Sequence, residues 1–205
     1  MTSQRELFYQ YLAQTSPAPI GLEIVKAEGC YLFDNKGKSY LDLISGISVS
    51  NTGHRHPEVI KSIKSQVDKY LHLMVYGEMI QSPQVKLAEA LAKLLPQNLN
   101  TTYYVNSGSE ATEGALKLAK KFTGRTEIIT FINAYHGSSH GALSVMGNES
   151  LKKAFRPLLP DVRIINFNDP KELDCISEKT ACVIAETIQG EAGVIVPNIH
   201  YMQLL

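Results

Sequence analysis

The sequence predicts an α/β fold in which a mostly parallel sheet is flanked by helices, because strands and helices alternate from residue 101 onward. Four short runs are rich in β-branched residues: TTYYV, EIITFI, VRIINF and ACVIAE. Runs of this kind are apolar on both faces, which is typical of a sheet that helices cover on both sides. A chain of 205 residues with 44% hydrophobic content is large enough to bury such a core.

A smaller unit is predicted before this alternation. The stretch GCYLFDNKGKSYLDLI alternates apolar and polar residues on both sides of Asn35-Lys36-Gly37, which predicts a β-hairpin. A Gly-rich loop, SGISVSNTGHRHP, follows it. We therefore divide the chain into residues 1–55, an N-terminal segment with the hairpin, and residues 56–205, the α/β body.

Three helices are predicted in this body. Pro57 opens a segment whose apolar residues keep helical spacing as far as Leu71, and a second helix begins at Ser82 and is stopped by Pro96. The third helix lies within residues 106–122. Its predicted apolar face is formed by Ala111, Ala115, Leu118, Ala119 and Phe122.

The composition excludes several classes of function. The chain has 20 basic residues (Lys and Arg together) and 20 acidic residues (Asp and Glu together). We find no basic run that would follow a phosphate backbone, so we expect no nucleic-acid partner. We find no apolar stretch that could span a bilayer and no signal peptide, so we expect no membrane partner. The three cysteines lack CxxC spacing and the histidines lack further ligands. We therefore expect neither disulfides nor a metal, and a cytoplasmic location.

The segment NSGSEATEGALKLAKKF, residues 106–122, has two interpretations at its start. Ser107 and Glu110 have the spacing of a helix-capping box, and Gly124 is positioned to end the helix. A cap leaves Gly108 unexplained, because glycine weakens the start of a helix unless the backbone approaches something closely or adopts a positive φ. A short Ser/Gly turn between a strand and a helix also presents free N–H groups to a phosphate. The segment alone leaves both interpretations open.

Two later stretches place polar residues after predicted strands, at the edge where open α/β sheets bind ligands. NAYHGSSHGALSV, residues 133–145, offers the ring of Tyr135 and the imidazole of His136. Taken alone, it fits a mobile loop with a packed tyrosine slightly better. In VIAETIQGEAGVIVP, residues 183–197, Glu186 ends an apolar strand, where a carboxylate is costly unless a partner pairs with it.

Five motifs, taken in order, resemble the class III pyridoxal-phosphate-dependent aminotransferases: GCYLFDNKGKSYLDLISGI, NTGHRHP, NSGSEATEGALKLAKKFTGR, AYHG and AETIQGEAGV. The resemblance covers nearly the whole chain and implies fold type I of the PLP-dependent transferases, which is aspartate aminotransferase-like. Residues 1–55 would be part of the small domain, and residues 56–205 the first part of the large, PLP-binding domain. The implied reaction moves an amino group from an ω-amino compound or amino acid to a 2-oxo acid, with pyridoxal 5'-phosphate (PLP) as cofactor.

The resemblance also implies which residues hold the cofactor. The amides of Gly108 and Ser109, with the Ser109 hydroxyl, would bind the phosphate at the helix N-terminus, and Tyr135 would stack on the pyridine ring. Glu186 resembles the family's carboxylate near that ring and is the position assigned here as catalytic. The implied cofactor-binding positions are Ser107, Gly108, Ser109, Tyr135, His136, Gly137 and Glu186.

Substrate contacts are implied in three places. Glu191 resembles the acid that pairs with a substrate-selecting arginine in transaminases of ω-amino substrates, although by itself it could be a solvated loop acid. The loop from Ser45 to Gly53, with Ser48, would line the substrate pocket in part across a dimer interface. The segment from Tyr76 to Gln81 would contribute to the same pocket.

Two groups that the chemistry needs have no counterpart in the sequence: a Lys that holds the cofactor as a Schiff base and an acid that keeps the pyridine nitrogen charged. In the family both follow the QGEAG segment, in chains about twice this length. We therefore expect the N-terminal half of a transaminase, as a truncated chain, a fragment or one part of a split enzyme, inactive by itself. The exposed apolar edges of a half sheet favour a homodimer or a complementing chain.

Two other functions stay open at the level of the sequence. A non-catalytic module for phosphate binding or assembly would keep the anion site and lack the Lys. Gly137, Ser139 and Gly141 match the GxSxG pattern of a serine hydrolase. That pattern is a poor match in context, because NAYH separates it from the preceding strand and His200 is the only histidine after His140.

Overall fold

The computed structural model describes residues 3–74 and 77–205. The chain forms two compact units, Met1–Val85 and Lys86–Leu205. The sequence-based division near residue 55 into parts of a small and a large domain stays a prediction.

The first unit is built around an antiparallel sheet of order β1-β2-β3, with strands Ile24–Glu28, Tyr31–Asp34 and Ser39–Leu41. The predicted hairpin is thus confirmed as β2 and β3, and β1 was not predicted. Asp34 stabilises the turn, since its carboxylate accepts from the amides of Lys36 and Lys38 and from the Tyr40 hydroxyl, each over 2.9 Å.

Three helical segments complete this unit: α1 (Gln4–Tyr11), α2 (Ser45–Ser48) and α3 (Pro57–Val67). Helix α3 begins at Pro57 as predicted but ends at Val67, short of Leu71, because the chain turns at Asp68. α2 is a single left-handed turn, in which all four residues have positive φ.

The second unit contains a parallel sheet of order β5-β4-β6, with strands Glu127–Phe131 (β4), Val162–Ile165 (β5) and Thr180–Val183 (β6). These are the predicted runs EIITFI, VRIINF and ACVIAE, and the predicted parallel pairing is confirmed. Helix α4 (Ser82–Leu94) begins at the predicted residue and contains the boundary between the units. The other helices are α5 (Gly108–Thr123), α6 (His140–Ser144) and α7 (Ile199–Leu204), with 3₁₀ turns at Glu149–Leu151, Lys153–Phe155 and Pro170–Cys175.

The central strand β4 carries the core of this unit. Its side chains alternate between two faces, so Ile128 packs in one cluster while Ile129 and Phe131 pack in the other. The first cluster is completed by Leu116 of α5 and Val145. The second is completed by Ala134, Ile165 and Tyr201.

The prediction of a strand at TTYYV, residues 101–105, was wrong for the described structure, where this stretch forms no ladder. A strand needs a neighbour that accepts and donates its backbone hydrogen bonds. The described strands of the parallel sheet pair only with one another, in the order β5-β4-β6.

The predicted apolar face of α5 is largely exposed within this unit. Leu118 is 66% exposed and Phe122 is 88% exposed. Leu116, which was not assigned to that face, is the helix residue that enters the core. Among residues 3–74 and 77–205, no helix is both long enough and apolar enough to cross a membrane.

Candidate active site

The N-terminus of α5 has the features of an anion site. Ser107 is the N-cap, and its hydroxyl oxygen accepts from the Glu110 amide over 3.2 Å. The amides of Gly108 and Ser109 donate to no described residue, as expected for the first turn of a helix. A Cβ at Gly108 would meet no atom within 4 Å, and Gly108 has no positive φ. The packing of the described protein therefore does not require this glycine.

The predicted capping box is only half formed. Glu110 belongs to the first turn, but its carboxylate accepts from the amide of Asn106 over 2.7 Å rather than from the amide of the N-cap residue Ser107. At its other end the helix stops as predicted, because Gly124 adopts φ 70° and its amide donates to Lys120 O.

The Tyr135 loop, residues 132–139 after β4, packs on the first two turns of α5. The amide of Ser138 donates to Ser109 Oγ over 3.2 Å, and the Thr112 hydroxyl donates to the carbonyl of His136 over 2.9 Å. Gly137 is required here for two reasons. Its φ is 125°, and a Cβ would clash with the Ser109 side chain and lie 2.9 Å from Ser109 Cα.

The Glu186 loop, residues 184–195 after β6, joins this arrangement through a carboxylate. Glu186 accepts from the amide of Tyr135 over 2.8 Å and from the amide of Gly190 over 3.0 Å. Glu186 follows an apolar strand, where an unpaired carboxylate would be destabilising, and these two backbone amides provide its partners. Burial lowers the pKa of His136 below its ordinary value, although the negative charge of Glu186 opposes this effect. His136 Nε2 is buried without a described partner.

Gln189 connects the Glu186 loop to the end of β4. It is 1% exposed, and its Nε2 donates to Ile132 O over 2.9 Å. Its backbone forms an antiparallel bridge with Ile195, which encloses the turn that carries Glu191. Glu191 is exposed, and no described side chain pairs with it. Gln189 was not assigned a role in the sequence, since an amide in a Gly-rich loop gives no signal of burial.

Glu113 is a second residue of the site that the sequence did not reveal. Its Oε1 accepts from the Ser139 hydroxyl over 2.7 Å and from the amides of Gly141 and Ala142 over 2.7 Å and 3.1 Å. Partial burial alone would raise the pKa of Glu113. The hydrogen bonds from Ser139, Ala142 and Gly141, with the charge of His140, outweigh burial and hold this pKa below its ordinary value.

Tyr135 is 44% exposed and lines a cavity of about 300 Å³. Most of the other residues that line this cavity are apolar, and the exposure of Tyr135 shows that it is not part of the buried core. The ring can therefore receive another planar group. The remaining lining residues are Ser138, His140, Leu143, Met146, Leu151 and Phe155.

The predicted substrate residue Ser48 lies in the first unit. It is exposed in the left-handed turn α2 and has φ 61°. The carboxylate of Asp42 accepts from the amides of Ile44 and Ser45 at the start of this turn and also contacts His54 Nε2 at 2.7 Å. Tyr76 lies outside the described residues, whereas Gln81 is buried and donates to Met74 O.

The structure therefore brings seven predicted positions together in the second unit: Ser107, Gly108, Ser109, Tyr135, His136, Gly137 and Glu186. Three contacts create this arrangement, Ser138–Ser109, His136–Thr112 and Tyr135–Glu186. Glu191 lies in the adjoining loop. In residues 3–74 and 77–205, His, Cys, Asp and Glu side chains form no group of three that could hold a metal ion.

The sequence model of the aminotransferase class-III family matches residues 11–205. The chain belongs to this family. The resemblance found in the five motifs is thus confirmed at the level of the family.

Two curated aminotransferases illustrate the similarity. The LysW-aminoadipate semialdehyde/glutamate semialdehyde transaminase of Sulfolobus acidocaldarius is 41% identical over 90% of this chain and 47% of its own length. The acetylornithine aminotransferase of Methanopyrus kandleri is 40% identical over 98% of this chain and 51% of its own length. The chain therefore spans about half the length of the curated relatives that it matches.

Solved aminotransferase structures share the fold. Adenosylmethionine-8-amino-7-oxononanoate aminotransferase from Methanocaldococcus jannaschii superposes with a TM-score of 0.87 at 31% identity, covering 98% of this chain and 50% of that one. Taurine:2-oxoglutarate aminotransferase from Bifidobacterium kashiwanohense, solved in complex with PLP and glutamate, gives 0.83 at 27% identity, covering 97% and 50%. The parallel sheet with flanking helices is that of fold type I, as predicted.

Proposed function

We propose that this chain forms part of a PLP-dependent transaminase that moves an amino group from an ω-amino compound or an amino acid to a 2-oxo acid. One observation carries the proposal: the unpaired amides of Gly108 and Ser109 lie on the same helix end that Ser138 of the Tyr135 loop contacts. Family membership and the PLP bound to the taurine aminotransferase support it.

The described residues fit this cofactor at three points. Free amides and the positive end of the α5 dipole suit a phosphate dianion, and open space beside Gly108 admits it. The Ser109 hydroxyl accepts from Ser138 and keeps its own hydrogen free to donate. The exposed ring of Tyr135 suits stacking on a planar heterocycle. Ser107, His136, Gly137 and Glu186 complete the proposed cofactor site.

PLP supplies an electron sink for the carbon that carries the amino group. The protein's task is to hold that sink in one orientation. In our proposal α5 binds the phosphate, and the ring of Tyr135 covers one face of the heterocycle. Glu186 fixes the backbone of Tyr135 and contributes negative charge beside the ring, which is the sense in which we assign it a catalytic role.

Substrate recognition is proposed for Glu191 and Ser48. An exposed carboxylate on the turn enclosed by Gln189 and Ile195 can pair with an arginine, and such a pair can open for an α-carboxylate and close for an ω-amine. The relatives suggest acetylornithine and LysW-bound semialdehydes as substrate candidates. Ser48 would contribute from its left-handed turn.

We do not assign the cofactor-binding Lys or the acid at the pyridine nitrogen to any residue of this chain. We propose that both come from outside these 205 residues, so that the chain alone does not turn over. The exposed side chains of Leu118 and Phe122 support a homodimer or a complementing chain. A cytoplasmic location is part of the same proposal.

A titration with PLP tests the cofactor site, with two glycine variants of α5 as a matched pair. A Cβ meets no described atom at either Gly108 or Gly114, so alanine should be tolerated at both when no PLP is added. We expect Gly108→Ala to weaken PLP binding about tenfold or more, because the new methyl group occupies the space of the phosphate. We expect Gly114→Ala to bind like the wild type.

Pyridoxal without the phosphate is the second arm of this titration. It should bind weakly and equally to the wild type and to Gly108→Ala. Equal PLP affinity for the wild type and both variants would refute the phosphate site. Saturable PLP binding with amino transfer by the 205-residue chain, verified by intact mass, would instead refute our proposal that the Lys lies elsewhere.

The two alternatives differ in their support. The non-catalytic module shares the anion site and is favoured if PLP binds but the chain combined with its missing part transfers no amino group. The serine hydrolase has no support in the described geometry. Ser139 donates to Glu113, and His140 Nε2 lies 2.9 Å from the carbonyl of Pro157, so these two residues do not form a nucleophile–base pair.

A further inference from the structure

Glu113 makes a tertiary cap for helix α6. The N-cap residue Ser139 does not cap the helix with its own side chain. Its hydroxyl instead donates to Glu113 Oε1, which also accepts from the amides of Gly141 and Ala142. These amides belong to the first turn of α6, where no carbonyl of the same helix can accept from them. One carboxylate oxygen of α5 therefore satisfies the start of another helix.

The carboxylate is also tightly packed. A Cβ at Gly141 would lie 2.8 Å from Glu113 Cδ, so any residue larger than glycine would displace the carboxylate. The close approach and the three donors fix Glu113 in one position. An ionised acceptor makes these hydrogen bonds stronger than neutral ones.

Glu113 shares its face of α5 with two other residues that contact the same part of the chain. Ser109 lies four residues before Glu113 and contacts Ser138. Thr112 directly precedes Glu113 and contacts His136. Residues three and four apart lie on one helix face. The whole segment from His136 to Ala142 is thus held by one face of the helix whose N-terminus carries the proposed phosphate site.

We propose that Glu113 is a positioning residue for the cofactor: by holding Ser139, Gly141 and Ala142, it fixes the distance between the Tyr135 ring and the α5 N-terminus. This inference rests on the proposed function. The residue does not touch the cofactor in this proposal. It acts through the Tyr135 loop, so its loss should change the order of that loop and the affinity for PLP together.

Hydrogen exchange without PLP tests the contact itself. We expect exchange of the Gly141 and Ala142 amides to be about tenfold faster in Glu113→Ala, with a smaller increase in Glu113→Gln, which keeps one acceptor oxygen. Glu127→Gln is the matched control, since Glu127 is a half-buried acid at the start of β4 that contacts Thr180 of β6 and Arg163 of β5. It should leave the exchange of both amides unchanged.

PLP titration of the same variants tests the consequence. We expect affinity to fall about tenfold in Glu113→Ala and less in Glu113→Gln, while Glu127→Gln binds like the wild type. Ser139→Ala should weaken binding in the wild-type background and have no further effect in Glu113→Ala, because the two side chains act through one contact. If Glu113→Ala misfolds, Glu113→Gln and Ser139→Ala carry the test.

The outcomes separate this inference from the proposed function. Unchanged exchange in Glu113→Ala, or faster exchange with unchanged PLP affinity, overturns the positioning role. A wild-type chain that binds no PLP overturns the cofactor site proposed for this chain and the cofactor part of this inference. Faster exchange in Glu113→Ala would even then support the contact between α5 and α6.

Discussion

The backbone amide of Tyr135 donates to the carboxylate of Glu186 over 2.8 Å. This bond joins the loop that follows β4 to the loop that follows β6, although the two residues are 51 positions apart. Parallel strands end at the same edge of a sheet, so residues far apart in the chain meet there. The bond fixes the backbone that carries the Tyr135 ring, and its loss should be measurable without any ligand.

Removing this carboxylate should lower stability. We expect Glu186→Ala to reduce the free energy of unfolding by about 1–2 kcal/mol, because the amides of Tyr135 and Gly190 lose an ionised acceptor. Glu191→Ala is the control, since that acid lies in the same loop, is exposed and should change stability by less than about 0.5 kcal/mol. Urea denaturation measures both. Equal effects would contradict the assigned role of the Glu186 contacts.

Replacing Gly137 by alanine should destabilise the protein more than the same change at a glycine that has only a positive φ and no close neighbour. Gly137→Ala combines a φ of 125° with a clash against Ser109, so we expect the free energy of unfolding to fall by about 2 kcal/mol or more. Gly124→Ala has φ 70° and no atom within 4 Å of the new Cβ, and should cost about 1 kcal/mol. Thermal denaturation compares them. Similar losses would indicate that the Tyr135 loop is not packed on α5.

The contribution of Glu113 should depend on pH in a defined direction. Its pKa in the folded protein lies below the unfolded value of 4.5. A group with a lowered folded pKa stabilises the protein above its unfolded pKa, and this stabilisation is lost as the pH falls through the folded value. The difference in unfolding free energy between wild type and Glu113→Gln should therefore be constant near neutral pH and shrink below about pH 4.5.

This comparison removes the contributions of other carboxylates. Hydrogen bonds lower the pKa values of Asp42 and Glu149 as well, through Ser45 and Arg156 respectively, so the wild type alone will lose stability in acid for several reasons. Both proteins share those groups, and only their difference reports on Glu113. A difference in unfolding free energy between wild type and Glu113→Gln that grows as the pH falls would contradict this prediction.

In the first unit, Asp42 should hold the start of the left-handed turn. We expect Asp42→Ala to lower the melting temperature and to speed exchange of the Ile44 and Ser45 amides, because both lose their acceptor. His54→Ala should do less, since it leaves those two bonds in place. Asp68→Ala, an exposed acid after α3, is the control. Unchanged exchange in Asp42→Ala would show that the turn does not depend on this side chain.

The sequence predicted those parts of the fold that local chemistry decides. The cap at Ser107 and the left-handed end at Gly124 follow from residue type and spacing, and both are present. The strand expected at residues 101–105 is absent from the described ladders, because strand formation depends on a partner elsewhere in the chain. Periodicity reports which residues could form a strand and does not report the neighbour.

The same limit explains what was missed in the candidate site. Glu113 lies between Thr112 and Gly114 on a helix, where an acid usually faces solvent. Its role depends on Gly141 approaching from a distant part of the chain, which no local pattern indicates. Glu110, in contrast, was assigned to the capping box from its spacing, and the structure directs its carboxylate one residue further back, to Asn106.

The open space beside Gly108 means that thermal stability and ligand binding place different demands on this position. Because no described neighbour fills that space, a screen that ranks variants by heat resistance in ligand-free buffer would accept a methyl group there and even reward it, since alanine favours helices over glycine. If this space binds the cofactor phosphate, such a screen would select proteins that fold better and bind PLP worse. Engineering of this scaffold should therefore rank position 108 by ligand retention.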